Sequence, residues 1–241
     1  MFNNIKVIYF DMGNTLLHFH YGDSDEVKDM AGLHKLTKYL NQFHSEISFE
    51  NVKEGFYNKW MNVMDLRKKH LIEYPIEQFL NEFLKNYHVN LTINQCVEAI
   101  NIFYYEYKKQ LHFEKNIRNT LIKIKEKEYK IGVISNTCYY DEVMIDCFKI
   151  ANLYDLIDDF TFSYSLKLCK PREEIFKKAL EKMNVCGKDA IMIGDNLKFD
   201  IKPALNLGMK TIWLNKNQVK NPTEIRPHIM ISNLQEINNY I

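Results

Sequence analysis

Four short hydrophobic runs along the chain each end in polar residues. The runs cover residues 5–10, 130–134, 190–193 and 211–214. Runs of this length that are rich in β-branched residues and stop at polar turn residues predict buried strands. Hydrophobic residues at helical spacing occupy residues 116–128, 141–150, 173–184 and 200–207. Strands that alternate with helices predict an α/β fold with a doubly wound, mainly parallel sheet that helices cover on both faces.

The stretch between the first two predicted strands has a different pattern. It offers amphipathic helical segments, at residues 33–43, 49–67, 76–87 and 93–107, and little that resembles a strand. We therefore predict an α-helical domain inserted after the first strand. On this prediction residues 1–20 and 111–241 form the α/β core, and residues 21–110 form the inserted domain.

The composition argues against several classes of protein. The 241 residues include 32 Lys and Arg against 31 Asp and Glu, a formal charge of +1, and this balance argues against nucleic acid as a partner. A hydrophobic content of 46% is enough for a buried core, but no run approaches the roughly 18 residues of a membrane-spanning helix. The N-terminal residues lack the pattern of an export signal, and the five cysteines include no C-x-x-C pair. We expect a cytoplasmic protein that does not bind membranes.

The polar residues that follow the predicted strands are candidates for a functional site. Asp11 follows the first strand, Ser135 and Asn136 follow the second, and Asp195 follows a later one, with Asp200 five residues on. Parallel sheets bind ligands in the crevice at the carboxyl ends of their strands, so these side chains are expected to meet there. Carboxylates at close range repel each other unless a cation lies between them, and oxygen ligands suit Mg²⁺. The sequence therefore predicts a magnesium site.

Four motifs in chain order resemble those of the haloacid dehalogenase-like hydrolase superfamily. They are residues 10–16 (FDMGNTL), 133–136 (VISN), 170–171 (KP) and 193–195 (IGD), the last followed by Asp200. The resemblance implies a Rossmann-like core. It also implies that the inserted helical domain, residues 21–110, is a cap that closes over the site and helps to select the substrate.

The resemblance also implies a mechanism. Asp11 would be the nucleophile, attacking phosphorus to form an aspartyl-phosphate that water then hydrolyses. Mg²⁺ would be bound by Asp11, by Asp195 and by the backbone carbonyl of Gly13. The substrate would be a small phosphorylated metabolite, and the protein would be a monomer or a homodimer.

The remaining motif residues receive supporting roles from the same resemblance. Lys170 would balance the charge of the nucleophile and of the transferred group. Asp200 would orient Lys170 or a metal-bound water. Thr15, Ser135 and Asn136 would bind the phosphate group of the substrate.

Gly13 departs from the usual pattern of phosphatases in this superfamily. That position normally carries a second Asp, which protonates the leaving oxygen and later activates water. A positioned acid and base contributes about 10²- to 10⁴-fold in rate, mostly for poor leaving groups. His18 or His20, which follow the first motif, could replace this group, but packing or surface roles are the favoured interpretation for both.

Gly13 also leaves other functions open. Haloacid dehalogenases lack the second Asp, but they bind no metal and lack the Gly194-Asp195 pair found here. Phosphonoacetaldehyde hydrolases keep Mg²⁺ and use a cap lysine as a Schiff base, a role that Lys53 or Lys59 could take. A non-catalytic protein that binds phosphate or a metabolite is the third alternative. We favour the phosphatase, because every predicted metal and phosphate residue is retained.

A basic run at residues 67–70 (RKKH) lies in the predicted cap. A cap that closes over an anionic substrate could use one of these charges. We favour the interpretation that this run is a solvated helix end.

Overall fold

Six parallel strands form one sheet in the order β3-β2-β1-β4-β5-β6. The computed structural model of the protein describes Phe2 and residues 4–241, and every side chain among them except that of Lys68. The strands are β1 (Val7–Phe10), β2 (Lys130–Ser135), β3 (Asp159–Phe162), β4 (Ala190–Gly194), β5 (Lys210–Leu214) and β6 (Ile229–Ile231). Every neighbouring pair is parallel. The predicted α/β fold with a mainly parallel sheet is confirmed.

β1 lies at the centre of the sheet because both of its faces are apolar. Its four residues are fully buried, and successive side chains enter different clusters: Ile8 and Phe10 pack in one, Val7 and Tyr9 in another. Residues that alternate in a strand point to opposite faces, so helices cover both sides of the sheet. The flanking helices are α7 (Ile117–Glu126), α8 (Asp141–Ile150), α9 (Ser163–Leu166), α10 (Glu173–Met183) and α11 (Lys202–Asn206).

Helices fill the chain between β1 and β2. They are α1 (Asp25–Leu40), α2 (Phe49–Val52), α3 (Asn58–His70), α4 (Ile76–Lys85), α5 (Ile93–Phe103) and α6 (Tyr105–Lys109). α1 begins earlier than predicted, because the Ser24 side chain accepts a hydrogen bond from Val27 N and caps the helix. The helix predicted over residues 49–67 contains a π turn at Lys53–Tyr57. This helical content is consistent with a cap, and the domain bounds given above stay predictions.

Backbone hydrogen bonds join this helical segment to the core at its ends and near its middle. At its two ends, His18 and His112 form an antiparallel bridge, with His18 N donating to His112 O at 2.8 Å. Midway, after α3, Cys169 N donates to Leu71 O at 3.1 Å and Ile76 N donates to Cys138 O at 3.1 Å. The stretch from 71 to 76 therefore lies against the loops that follow β2 and precede Lys170. Within the described part of the chain, every helix is too short or too polar to span a bilayer.

Candidate active site

The carboxyl ends of the central strands surround a cavity of about 390 Å³. Asp11 continues β1, and its N–H donates to Ile193 O at 2.9 Å, so the nucleophile candidate is fixed by the sheet itself. Seven of the eight predicted site residues line this cavity: Asp11, Gly13, Ser135, Asn136, Lys170, Asp195 and Asp200. The eighth, Thr15, is buried beside Asp11, and its Oγ1 donates to Asp11 Oδ2 at 3.2 Å. The structure thus brings together residues that are far apart in sequence.

Lys170 is the central cation of the site. Its Nζ lies 2.6 Å from Asp11 Oδ1 and 2.7 Å from Asp200 Oδ1, and it donates to the Ile134 carbonyl at 3.0 Å. Burial alone would lower the pKa of Lys170, but the charges of Asp11 and Asp200 outweigh burial and raise it above the ordinary value. The ammonium therefore stays charged, and its three N–H donors are all in use.

Three carboxylates meet beside this lysine. Asp11, Asp195 and Asp200 each present an oxygen within 4.8 Å of the others. Burial, and then the charge of Asp11, raise the pKa of Asp195 to about 6. Burial also raises the pKa of Asp200, against the opposing effect of Lys170. A donor set of hard oxygens with more negative than positive charge suits a divalent cation such as Mg²⁺.

Gly194 permits the close approach of Asp200. A Cβ added at Gly194 would overlap the Asp200 carboxylate, so any other residue here would displace it. Asp200 lies in a π turn, Leu197–Ile201, and its Oδ2 accepts a hydrogen bond from Asn196 N at 3.0 Å. The Gly-Asp motif therefore supplies a possible metal ligand, Asp195, and the space for a second carboxylate.

Asn136 contacts the loop that carries Lys170. Its Oδ1 accepts from Lys170 N at 2.7 Å, and its Nδ2 donates to Lys170 O at 3.0 Å. The side chain is thus engaged in positioning Lys170, which leaves its backbone N–H as the group available to a phosphate. Ser135 is buried at the end of β2 and borders the cavity. The phosphate-binding roles of Thr15, Ser135 and Asn136 stay predictions.

The space beside Gly13 is open, because a Cβ added there meets no heavy atom within 4 Å. The two candidate histidines differ in their surroundings. His18 Nε2 lies 3.0 Å from Lys216 Nζ, and burial, Lys216 and His112 lower the pKa of His18 to about 4. His20 borders the cavity, and its Nδ1 lies 2.6 Å from Asp25 Oδ2. Of the two, only His20 faces the site.

Several cavity residues come from the helical segment and were not predicted as site residues. Tyr104 and Tyr107 stack with ring centroids 4.8 Å apart, and both border the cavity together with Tyr139. Arg67 also borders it and is half-buried, so the solvated-end interpretation is wrong for this residue.

The other members of that basic run differ from Arg67. Lys69 and His70 are exposed, and the side chain of Lys68 lies outside the described residues. Among the described cavity residues, neither Lys53 nor Lys59 is present, which disfavours the Schiff-base alternative. Local sequence carried no signal for the tyrosines, because their position depends on how the helical segment packs on the core.

A family model described as haloacid dehalogenase-like hydrolase matches residues 40–214. The chain belongs to this family. It is therefore a haloacid dehalogenase-like hydrolase, as predicted, and the fold and the strand-end site agree with that family. A glyceraldehyde 3-phosphate phosphatase of Pyrococcus abyssi is 27% identical over 215 residues, which cover 87% of this chain and 81% of the relative.

Two solved structures share the fold of this haloacid dehalogenase-like hydrolase over most of its length. A haloacid dehalogenase superfamily phosphatase from Thermococcus onnurineus has a TM-score of 0.63 at 22% identity, covering 98% of this chain and 97% of the other. A 2-haloacid dehalogenase from Pseudomonas syringae pv. Tomato has a TM-score of 0.68 at 20% identity, with the same coverage. At these identities the likeness shows the fold alone.

Proposed function

We propose that this hydrolase is a Mg²⁺-dependent phosphatase of small phosphorylated metabolites. The arrangement of Asp11, Lys170 and Asp200 carries the proposal, since a carboxylate that is fixed by a strand end and contacts a buried, charged lysine is suited to attack an anionic phosphoryl group. The similarity to a glyceraldehyde 3-phosphate phosphatase supports the same reaction class. The cytoplasmic location and the monomeric or homodimeric state stay predictions from sequence.

The proposed reaction has two steps. In the first, an oxygen of Asp11 attacks phosphorus, and the bond between phosphorus and the leaving oxygen breaks. In the second, water attacks phosphorus of the aspartyl-phosphate, which releases inorganic phosphate and restores the Asp11 carboxylate. Lys170 offsets the charge of the phosphoryl oxygens throughout, and Asp200 orients Lys170 through the 2.7 Å contact.

Mg²⁺ fits the carboxylates of this site. Asp11 and Asp195 would bind it, with the Gly13 carbonyl, because Asp200 is already engaged by Lys170 and by Asn196 N. When bound, the ion supplies charge for the phosphoryl oxygens and offsets the repulsion between Asp11 and Asp195.

His20 is our candidate for the proton donor that Gly13 lacks. It borders the cavity, and its contact with Asp25 through Nδ1 leaves Nε2 for the leaving oxygen. A histidine that is oriented by a carboxylate in this way is a common general acid in enzymes. His18 is excluded from this role, because it is held neutral and contacts Lys216.

Phosphate release from acetyl phosphate and para-nitrophenyl phosphate tests the proposal. We expect Mg²⁺-dependent turnover by the wild type and none by Asp11→Asn, which keeps the size of the side chain but removes the nucleophile. Turnover that persists in Asp11→Asn would refute the mechanism. If neither ester is hydrolysed, halide release from 2-haloacids and phosphonate cleavage are the reactions to measure next.

A further inference from the structure

Arg67 lies at the end of α3 and borders the same cavity as Asp11. Its Nε lies 2.7 Å from Glu73 Oε1, and its Nη2 donates to Glu73 Oε2 at 2.9 Å. The Glu73 side chain is fully buried, and that of Arg67 is 23% exposed. Glu73 engages the Nε and Nη2 edge of the guanidinium, and the rest of the group borders the cavity with partial exposure.

Glu73 is itself fixed by the core. Its Oε2 accepts hydrogen bonds from Ser163 Oγ and, at 3.3 Å, from Cys169 Sγ. Cys169 directly precedes Lys170 in the chain. The guanidinium is therefore placed relative to the same loop that carries the catalytic lysine, although Arg67 belongs to the helical segment.

Among the described residues that line the cavity, Arg67 is a second cation beside Lys170. The ammonium of Lys170 uses its three N–H groups on Asp11, Asp200 and the Ile134 carbonyl. A guanidinium that is held in place by a buried partner presents planar donors that match a planar carboxylate. The cavity, at about 390 Å³, is at the small end of the range for ligand sites, which favours a compact substrate.

We propose that Arg67 binds a carboxylate of the substrate, so that the preferred substrates are short phosphorylated acids. This inference rests on the proposed phosphatase activity and specifies its substrate class. The phosphoryl group would lie against Asp11 and Lys170, and the carboxylate would reach Arg67 at the side formed by the helical segment. Tyr104 and Tyr139 would enclose the carbon chain between them.

Three phosphate esters of similar size test the inference: 3-phosphoglycerate, which has the carboxylate, and glycerol 3-phosphate and glyceraldehyde 3-phosphate, which lack it. We expect the wild type to prefer 3-phosphoglycerate by about 10- to 100-fold in kcat/KM, because a charge-assisted hydrogen bond contributes a binding free energy of this size. A wild type that prefers either ester without a carboxylate would overturn the inference.

The variants are chosen so that they fold. Removing Arg67 alone leaves Glu73 buried and unpaired, so we use Arg67→Gln combined with Glu73→Gln, with Arg67→Lys as the second variant. Both should lose the preference for 3-phosphoglycerate over glycerol 3-phosphate, mainly through a higher KM for 3-phosphoglycerate. An unchanged preference in folded variants would show that the ion pair is only structural.

A binding measurement separates this inference from the proposed function. In the Asp11→Asn background, which cannot turn over substrate, calorimetry should show 3-phosphoglycerate binding about 10-fold or more tightly than glycerol 3-phosphate. The double variant should abolish that difference. Absence of turnover by the wild type would refute the phosphatase proposal alone, whereas equal binding of the two ligands would refute the role of Arg67.

Discussion

Asp195 is unfavourably placed for an ionised carboxyl group in the absence of a cation. It is close to Asp11 and Asp200, whereas Lys170 contacts those two and not Asp195. Burial and the charge of Asp11 raise the pKa of Asp195 from 3.8 to about 6. A raised carboxyl pKa means that ionisation of this group opposes folding.

We therefore predict that Asp195→Asn stabilises the protein at pH 7 when divalent cations are absent. Each pKa unit corresponds to about 1.4 kcal/mol, and with partial solvent screening we expect about 1–2 kcal/mol in urea unfolding. The advantage should vanish below pH 4, where the carboxyl is protonated in both states, and should grow as pH rises to about 6. A variant less stable than the wild type at pH 7 would contradict this account of the site.

The same substitution should abolish the response to metal. Mg²⁺ is expected to raise the melting temperature of the wild type, because the ion binds the folded state. Asp195→Asn removes one of its ligands, and the shift should disappear. An equal shift in both proteins would place the ion elsewhere.

The His20→Asn substitution should lower activity more for substrates with poor leaving groups than for substrates with good ones. We expect kcat/KM for glycerol 3-phosphate to fall about 100-fold or more, because an alkoxide needs a proton to leave, and that for acetyl phosphate to fall less than about threefold. Phosphate release on the two substrates measures the difference. Gly13→Asp in the His20→Asn background is the matched control, because the open space beside Gly13 accepts the side chain and should restore activity. Equal losses on both substrates would exclude His20 as the proton donor.

The strand-end residues could be predicted from sequence because their positions follow from topology alone. Once β1, β2 and β4 are recognised as parallel, Asp11, Ser135 and Asp195 must lie at one edge of the sheet. The position of Arg67 could not be predicted in this way. It depends on a buried partner, Glu73, whose contacts with the core come from the packing of two distant segments.

Helices α1 and α5 pack closely because Gly32 has no side chain. A Cβ added at Gly32 would overlap the Phe103 carbonyl at the end of α5. Aromatic ring contacts lead from Phe103 to Trp60 and from Trp60 to Tyr139, which borders the cavity. The glycine thus sets the distance between α1 and α5, and Tyr104, which directly follows α5, borders the cavity.

Gly32→Ala should destabilise the protein, although alanine is the better helix former. Helix propensity alone would stabilise by about 1 kcal/mol, whereas forcing two backbones apart costs about 1–3 kcal/mol. We therefore expect a net loss in urea unfolding. Lys38→Ala, on the exposed side of the same helix, is the control and should change stability by less than about 0.5 kcal/mol. A stabilised Gly32→Ala variant would show that the helix spacing adjusts freely.

The strands whose bounds were predicted most accurately are those in which nearly every residue is buried. β1, β2, β4 and β5 are continuous apolar runs, and the structure has all four within three residues of the predicted bounds. The edge strands were not predicted. β3 begins at the polar residue Asp159, and its first two residues are only partly buried. β6 has three residues, of which Met230 is 55% exposed. Neither sequence therefore shows the pattern of a buried strand.

The thiols report on the integrity of the whole fold. Cys186 is exposed, whereas the other four cysteines are buried: Cys96, Cys138, Cys147 and Cys169. We expect one equivalent of thiol per chain to react quickly with an aromatic disulfide reagent, and the other four to react only as the protein unfolds in urea, because access requires opening of the core. Cys186→Ser should remove the fast phase and leave the slow one. A second fast thiol would indicate that the folded state opens locally.

β1 is synthesised before the other strands of the sheet, but it can pair only after its neighbours β2 and β4 have been synthesised. Its neighbours in the sheet begin at Lys130 and Ala190, on the far side of the helical segment. A ribosome adds about 5–20 residues per second. The apolar strand β1 therefore has no hydrogen-bond partners in the sheet for several seconds. During that time the helices between β1 and β2 can already bury their own side chains. Asp11 is thus translated before every other residue of the site, yet its surroundings exist only when most of the chain has left the exit tunnel. During synthesis the strand that leads to Asp11 is therefore unpaired, and the candidate site is complete only after Asp200 has been translated.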